Sequence, residues 1–216
     1  MVLRRVNRVV GEGSGVAIVA RVPRLRNPFR RADLMGMAAP LYYTAEMVRA
    51  LPDDGNRYET VRGELLVTPS PREIHQRVLG RLFLALGGYL ERHPVGALYT
   101  SPADISWTPD TLVQPDIFVA ALSEARSGDW SRFRTLLLAV EVLSPSSTRQ
   151  DRFTKRHLYQ EVGVATYWVV DTDARAVEVW TPEAVFPKVV TDVLEWHPAG
   201  ATEALAIPLD KLFRPI

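Results

Sequence analysis

The sequence predicts an α/β protein, a β-sheet flanked by helices. Two apolar runs, Pro115–Ala121 and Leu136–Leu143, read as buried strands, and each carries one acid, Asp116 or Glu141. Two longer segments, about Arg72–Arg92 and Arg149–Val162, read as helices. Strand-rich stretches lie on either side of these helices, the arrangement expected of a layered α/β sheet whose central strands bear the acids.

Taken in order, Thr44 can cap a short helix through Leu51, with Glu46 in its first turn. Tyr58–Val61 and Glu64–Val67 flank Arg62-Gly63, a two-residue connection suited to a hairpin. Pro69-Ser-Pro71 breaks the second strand. A long helix follows, its Ile74, Val78, Leu82, Leu86 and Tyr89 recurring at three- and four-residue steps, and Pro94 ends it. Ala97–Thr100, Asp104–Trp107 and Asp116–Ala121 are the next expected strands, with Pro109-Asp110 as a turn. Residues 123–134 are polar and read as a loop or ragged helix. After the Leu136–Leu143 strand, a hydroxyl of Ser144-Pro-Ser-Ser-Thr148 is expected to cap the helix that Gly163 stops. Thr166–Val170 and Ala176–Trp180 form a hairpin, and Val185–Trp196 adds one or two strands.

Composition narrows the function classes. The chain has 216 residues, 47% hydrophobic and 24% charged, room for one domain plus an extension. No window approaches the ~20 apolar residues of a membrane helix. With no cysteine there are no disulfides, thiolate ligands or cysteine nucleophiles; this suits a reducing compartment, and the cytoplasm is the expected location. The net charge of +1 is unevenly spread: residues 1–37 hold eight arginines against Glu12 and Asp33, and the remainder is net acidic. Residues 1–37 read as an arginine-rich flexible extension, with a DNA-binding arm as the less favoured reading. Residues 38–216 are expected to form a single domain.

The chemistry lies with the two strand acids. An ionised carboxylate among packed apolar residues is costly unless paired or metal-bound. Mg²⁺ takes a few hard oxygen ligands and keeps several waters, so Asp116, Glu141, a backbone carbonyl and a substrate phosphate would suffice. Lys155, on the helix that follows, could position a water or stabilise charge in the transition state. Taken singly, each acid is more often a turn cap or a core ion-pair member. Asp151 and Lys155, four positions apart on a helix, more often form a solvated salt bridge. The joint pattern outweighs its members.

Several segments, in one order, resemble the Uma-type family of restriction endonucleases within the PD-(D/E)XK nuclease superfamily. They are Tyr58-Glu-x-x-x-Gly63-Glu-Leu, Pro69-x-Pro71 with His75, Pro115-Asp116 and Glu141-Val-Leu-Ser-Pro145. Asp151-x-x-x-Lys155-x-x-x-Tyr159, Gly163-Val164, Tyr167-Trp168-x-x-Asp171 and Pro208-Leu-x-x-Leu212-Phe213 complete the set, which spans about residues 40–216. The resemblance implies a restriction endonuclease-like core, a mixed β-sheet flanked by helices. By the same carry-over Asp116 and Glu141 are metal ligands, and Val142 offers its carbonyl. The superfamily lysine stands two residues after the second acid, where this chain has Leu143; the resemblance implies that Lys155 replaces it. Glu64 is a candidate accessory acid or a hairpin residue facing solvent, and His75 a candidate metal ligand or proton shuttle or a partly buried helix residue. Asp104 is more remote. Tyr159, Tyr167 and Trp168 are expected to pack near the site. Arg62 and Ala165-Thr166 depart from the family pattern without touching a proposed ligand.

The expected function is therefore that of a Mg²⁺-dependent endonuclease (Mn²⁺ able to substitute) that hydrolyses DNA phosphodiesters with metal-activated water, acting as a homodimer. The alternatives are a catalytically silent nuclease-fold protein that binds nucleic acid or a protein partner, and a hydrolase of small phosphoesters.

Overall fold

The computed structural model describes residues 42–216. The arginine-rich segment 1–37 lies outside the described residues. Thr44 caps α1 (Ala45–Arg49), its hydroxyl accepting from the Met47 amide. The hairpin of β1 (Arg57–Val61) and β2 (Glu64–Thr68) turns at Arg62-Gly63. Both turn residues have positive φ, 52° and 81°, as a two-residue turn matched to strand twist requires. The long helix α2 (Glu73–Arg92) buries Val78, Leu82, Leu86 and Tyr89, the stripe its periodicity predicts.

A six-stranded mixed sheet forms the centre, in the order β3 (Gly96–Thr100), β4 (Ile117–Ala121), β5 (Leu136–Val142), β6 (Tyr167–Asp171), β7 (Ala176–Trp180), β8 (Lys188–Val190). Only β5 and β6 are parallel, and the helical segment between residues 150 and 161 makes the crossover that parallel neighbours need. The other pairs are antiparallel. A separate hairpin, β9 (Val193–Trp196) with β10 (Leu205–Pro208), leads into the short α5 (Leu209–Leu212).

Alternation along β4 and β5 divides the core into two layers. Ile117, Val119, Leu138, Val140 and Val142 pack with α2, α5 and the β9–β10 hairpin. Phe118, Ala120, Ala139 and Leu143 pack with Phe133, Leu158, Tyr159 and Tyr167 on the opposite face. Each of these side chains is almost wholly removed from water, a contribution of about 1.5–3 kcal/mol for each larger aliphatic one.

Three expectations need correction. Asp104–Trp107 is not a strand: it forms a single bridge, Ile105 with Val113, because Pro102 and Pro109 bracket a segment with only one pairing partner. Residues 123–134 are, as expected, a loop with ragged helical turns, the short α3 (Leu122–Ala125) and a 3₁₀ turn, Trp130–Arg132. The helix expected from Arg149 starts as a π-helical segment, Gln150–Lys155, before becoming α4 (Arg156–Glu161). No hydroxyl side chain caps it. Ser147 and Thr148 instead close their own turn, the Thr148 hydroxyl donating to the Ser144 carbonyl at 2.9 Å. Gly163, at φ 75°, stops the helix as expected. Among the described residues no helix is long and apolar enough to cross a membrane.

Candidate active site

Asp116 directly precedes β4, at the end of that strand that lies beside the C-terminal end of β5. Its Oδ2 accepts the Val142 amide at 2.8 Å and lies 3.1 Å from His75 Nε2. Its Oδ1 accepts from Arg57 Nη1 at 2.7 Å. One carboxylate thus ties together the sheet, α2 and the β1 hairpin.

Glu141 lies near the end of β5, on the face it shares with Ala139 and Leu143. Its Oε1 accepts from Lys155 Nζ at 3.0 Å and from the Tyr159 hydroxyl at 3.1 Å. Among the described residues its Oε2 has no hydrogen-bond partner; Arg57 Nη2 stands 4.0 Å away. Lys155 also meets Glu59 Oε2 at 2.8 Å and Asp151 Oδ1 at 3.4 Å. Glu59 is fixed from its other oxygen by the Gln114 amide at 2.7 Å. The π-helical segment widens the helix where Asp151 and Lys155 turn inward.

Burial is nearly complete: Glu59 and Glu141 are 0% exposed, Lys155 and Asp151 1%. The Asp151–Lys155 pair is therefore a core element, not the solvated salt bridge its spacing suggests. A cleft of about 560 Å³ opens above the site, lined by Arg57, His75, Gln114 and Asp116 among others.

Electrostatics separate the two strand acids. Burial alone would raise Asp116, but the His75 hydrogen bond, the Arg57 charge and the Val142 amide outweigh it and hold the carboxyl below the usual carboxylate range. Burial pushes Glu141 well up. Lys155 opposes the rise, while the charges of Asp151, Asp116 and Glu59 add to it. Burial would lower Lys155, yet Glu141, Glu59 and Asp151 more than compensate, so the amine stays cationic.

Charge balance tests whether these residues suit a divalent metal. Four buried carboxylates (Glu59, Asp116, Glu141, Asp151) face two permanent cations, Arg57 and Lys155. With all four ionised a divalent cation would cancel the excess, and Glu141 Oε2, unpartnered among the described residues, is a hard oxygen available to it. Among the described residues no group of three or more His, Asp or Glu side chains converges to hold an ion alone. Magnesium sites built from one or two carboxylates plus substrate phosphate have that character, so the donor set fits.

Of the residues singled out from sequence, Asp116, Glu141, Lys155, His75 and Val142 come together. The Val142 group in contact is its amide. Glu64 does not join them: it is exposed at the start of β2, paired across the hairpin with Val61. Asp104 is held by Arg49 and Gln114, at 2.9 Å each, on the cleft rim. Tyr159 and Tyr167 touch the site, Tyr167 donating to the Asp151 carbonyl at 3.0 Å, but Trp168 points into the opposite core layer. Sequence reasoning missed Arg57 and Glu59. Their signal was Arg57-x-Glu59-x-Val61, three residues on one strand face whose last member is buried.

Acids at the adjoining ends of two neighbouring strands, with a lysine against the second, thus sit together on a mixed α/β sheet. The fold matches the crystal structure of a protein described as a putative nuclease belonging to DUF820, from Anabaena variabilis. The TM-score is 0.67 and the identity 20%, over 79% of this chain and 97% of that one. The Uma2 family model, described as "Putative restriction endonuclease", matches residues 45–203. The chain belongs to that family. No curated protein matches it.

Proposed function

We propose that this protein is a Mg²⁺-dependent endonuclease that hydrolyses DNA phosphodiester bonds, with Mn²⁺ able to replace Mg²⁺. The observation that carries the reading is the approach of one Arg57 guanidinium to both strand acids, 2.7 Å from Asp116 and 4.0 Å from Glu141, so that the two carboxylates already share one cation. Asp116 and Glu141 would hold the ion, with the Val142 carbonyl as a further oxygen. When bound, the ion supplies polarisation of the phosphoryl oxygen and a lowered pKa for an attacking water.

The chain's own groups do the rest. Lys155, kept charged by its three carboxylates, supports negative charge that develops during displacement. His75 orients Asp116 through their 3.1 Å contact. Asn56, Gln76 and Gln114 line the cleft with donors for a sugar–phosphate backbone. A homodimer with C₂ symmetry would present two such sites to antiparallel strands, and the cytoplasm is the proposed compartment.

The test is cleavage of supercoiled plasmid in Mg²⁺ by wild type, Asp116→Ala and Glu141→Ala. The reading expects cutting by wild type and its loss in both variants with circular dichroism unchanged. Cutting retained by both variants removes it. A second reading, a silent nuclease fold that binds nucleic acid, is favoured by the same guanidinium, which already pairs with Asp116 without a metal. DNA binding that weakens steeply with salt, ignores Mg²⁺ and leaves the plasmid intact would select it.

A further inference from the structure

Arg57 is the one cation among the described residues that reaches both strand acids. Its Nη1 is bonded to Asp116 at 2.7 Å, its Nη2 stands 4.0 Å from Glu141, and its Nε lies 3.7 Å from Glu59. Lys155 meets Glu141 and Glu59 from below, leaving Asp116 to Arg57 and His75.

Depth orders these groups. Arg57 and Asp116 line the cleft, whereas Glu141 and Glu59 are fully buried and are not part of its wall. An ion entering from solvent meets the guanidinium before it meets Glu141. The Arg57 side chain retains 20% of its exposure, so it has a path outward that the enclosed Lys155, at 1%, lacks.

We infer that Arg57 is a resident counter-cation: it holds Asp116 and Glu141 together in the metal-free protein and is displaced when a divalent cation takes the space between them. The inference rests on the proposed reading only in requiring that a divalent cation bind these two acids. Removing one partner of a buried ion pair leaves an uncompensated charge, so metal-free protein needs Arg57 or a substitute. Arg57 faces the oxygens an ion would take, Asp116 Oδ1 and Glu141 Oε2, whereas Lys155 holds Glu141 through Oε1. A guanidinium and a dication on the same oxygens repel strongly at low dielectric, so one excludes the other. The flexible arginine is the group that moves, because the strand acids are fixed by the sheet and by the Val142 amide.

The experiment is calorimetric titration of Mn²⁺ and Mg²⁺ into metal-free wild type and Arg57→Gln, with thermal unfolding measured with and without Mn²⁺. Arg57→Gln is expected to unfold at lower temperature without metal, to bind Mn²⁺ about tenfold more tightly than wild type or better, and to gain more in unfolding temperature when Mn²⁺ is added. A merely structural arginine would lower stability without raising metal affinity. Unchanged or weaker binding by natively folded Arg57→Gln overturns the inference, as does absence of binding by both proteins. Should Arg57→Gln fail to fold, the wild-type Arg57 Nε–H resonance, assigned by its loss in Arg57→Lys, decides the matter. Saturating Mg²⁺ must shift it, and an unmoved signal overturns the inference. Plasmid cleavage is scored separately: competition between Arg57 and metal with intact plasmid would remove the nuclease reading and leave this inference standing.

Discussion

Lys155 Nζ lies 3.0 Å from Glu141 Oε1, although the two residues are 14 positions apart and sit on different elements. The position two residues after the acid, Leu143, faces the same side of β5 but packs with Tyr159, Val164 and Tyr167. The cation facing Glu141 is thus delivered from the crossover helix, and the position two residues after the acid belongs to the apolar core.

Moving the lysine tests this substitution of roles. Lys155→Met leaves Glu59, Glu141 and Asp151 without their shared cation, an expected loss of about 3–5 kcal/mol in urea unfolding. Its plasmid cutting is expected to fall by about 10²–10³. The double variant Leu143→Lys/Lys155→Met should recover part of both, since i and i+2 share a strand face. No recovery of either would show that only the helix can place the amine correctly.

Glu59 and Glu64 flank the same hairpin and should behave oppositely. Glu59→Gln keeps an oxygen for the Gln114 amide but removes one charge from Lys155, at an expected cost of about 1–3 kcal/mol together with reduced cutting. Glu64→Ala, at an exposed position, should stay within about 0.5 kcal/mol and cut normally. Equal behaviour of the two variants in urea unfolding and plasmid cleavage would contradict this assignment.

In metal-free protein Asp116 and Glu141 should titrate on opposite sides of the ordinary carboxylate range. Asp116, held low, contributes stability that is present above its ordinary value of 3.8 and is lost as pH falls through its folded value. Glu141, held high by burial and its acidic neighbours, contributes stability that is present below 4.5 and is lost as pH rises through its folded value. Carboxyl carbon NMR against pH should show the Asp116 signal moving below the usual range and the Glu141 signal above it. Two coincident titrations would refute the electrostatic picture.

Gly96 opens β3 where the sheet leaves no room for a side chain. A Cβ there would stand 3.0 Å from the Ala120 carbonyl and against Val119 and Leu137. Gly96→Ala should therefore destabilise by about 1–3 kcal/mol in thermal or urea unfolding. Neutrality would mean that β3 can shift against β4 freely.

Local pattern by itself determined much of this protein. The Arg62-Gly63 turn, the stripe of α2, and the apolar runs of β4 and β5 are set by short-range sterics and by periodic burial, which a window of a few residues contains. Asp116 and Glu141 were conspicuous for the same reason, as charges amid apolar runs. The tertiary structure alone decided that Glu59, not Glu64, reaches the site, that Asp151 and Lys155 turn inward on a π-helical segment, and that Arg57 stands between the strand acids. Each depends on which elements pack side by side across long sequence separations. Charged side chains in a hairpin or helix look alike in sequence whether they meet water or one another, and only the layer packed against them chooses.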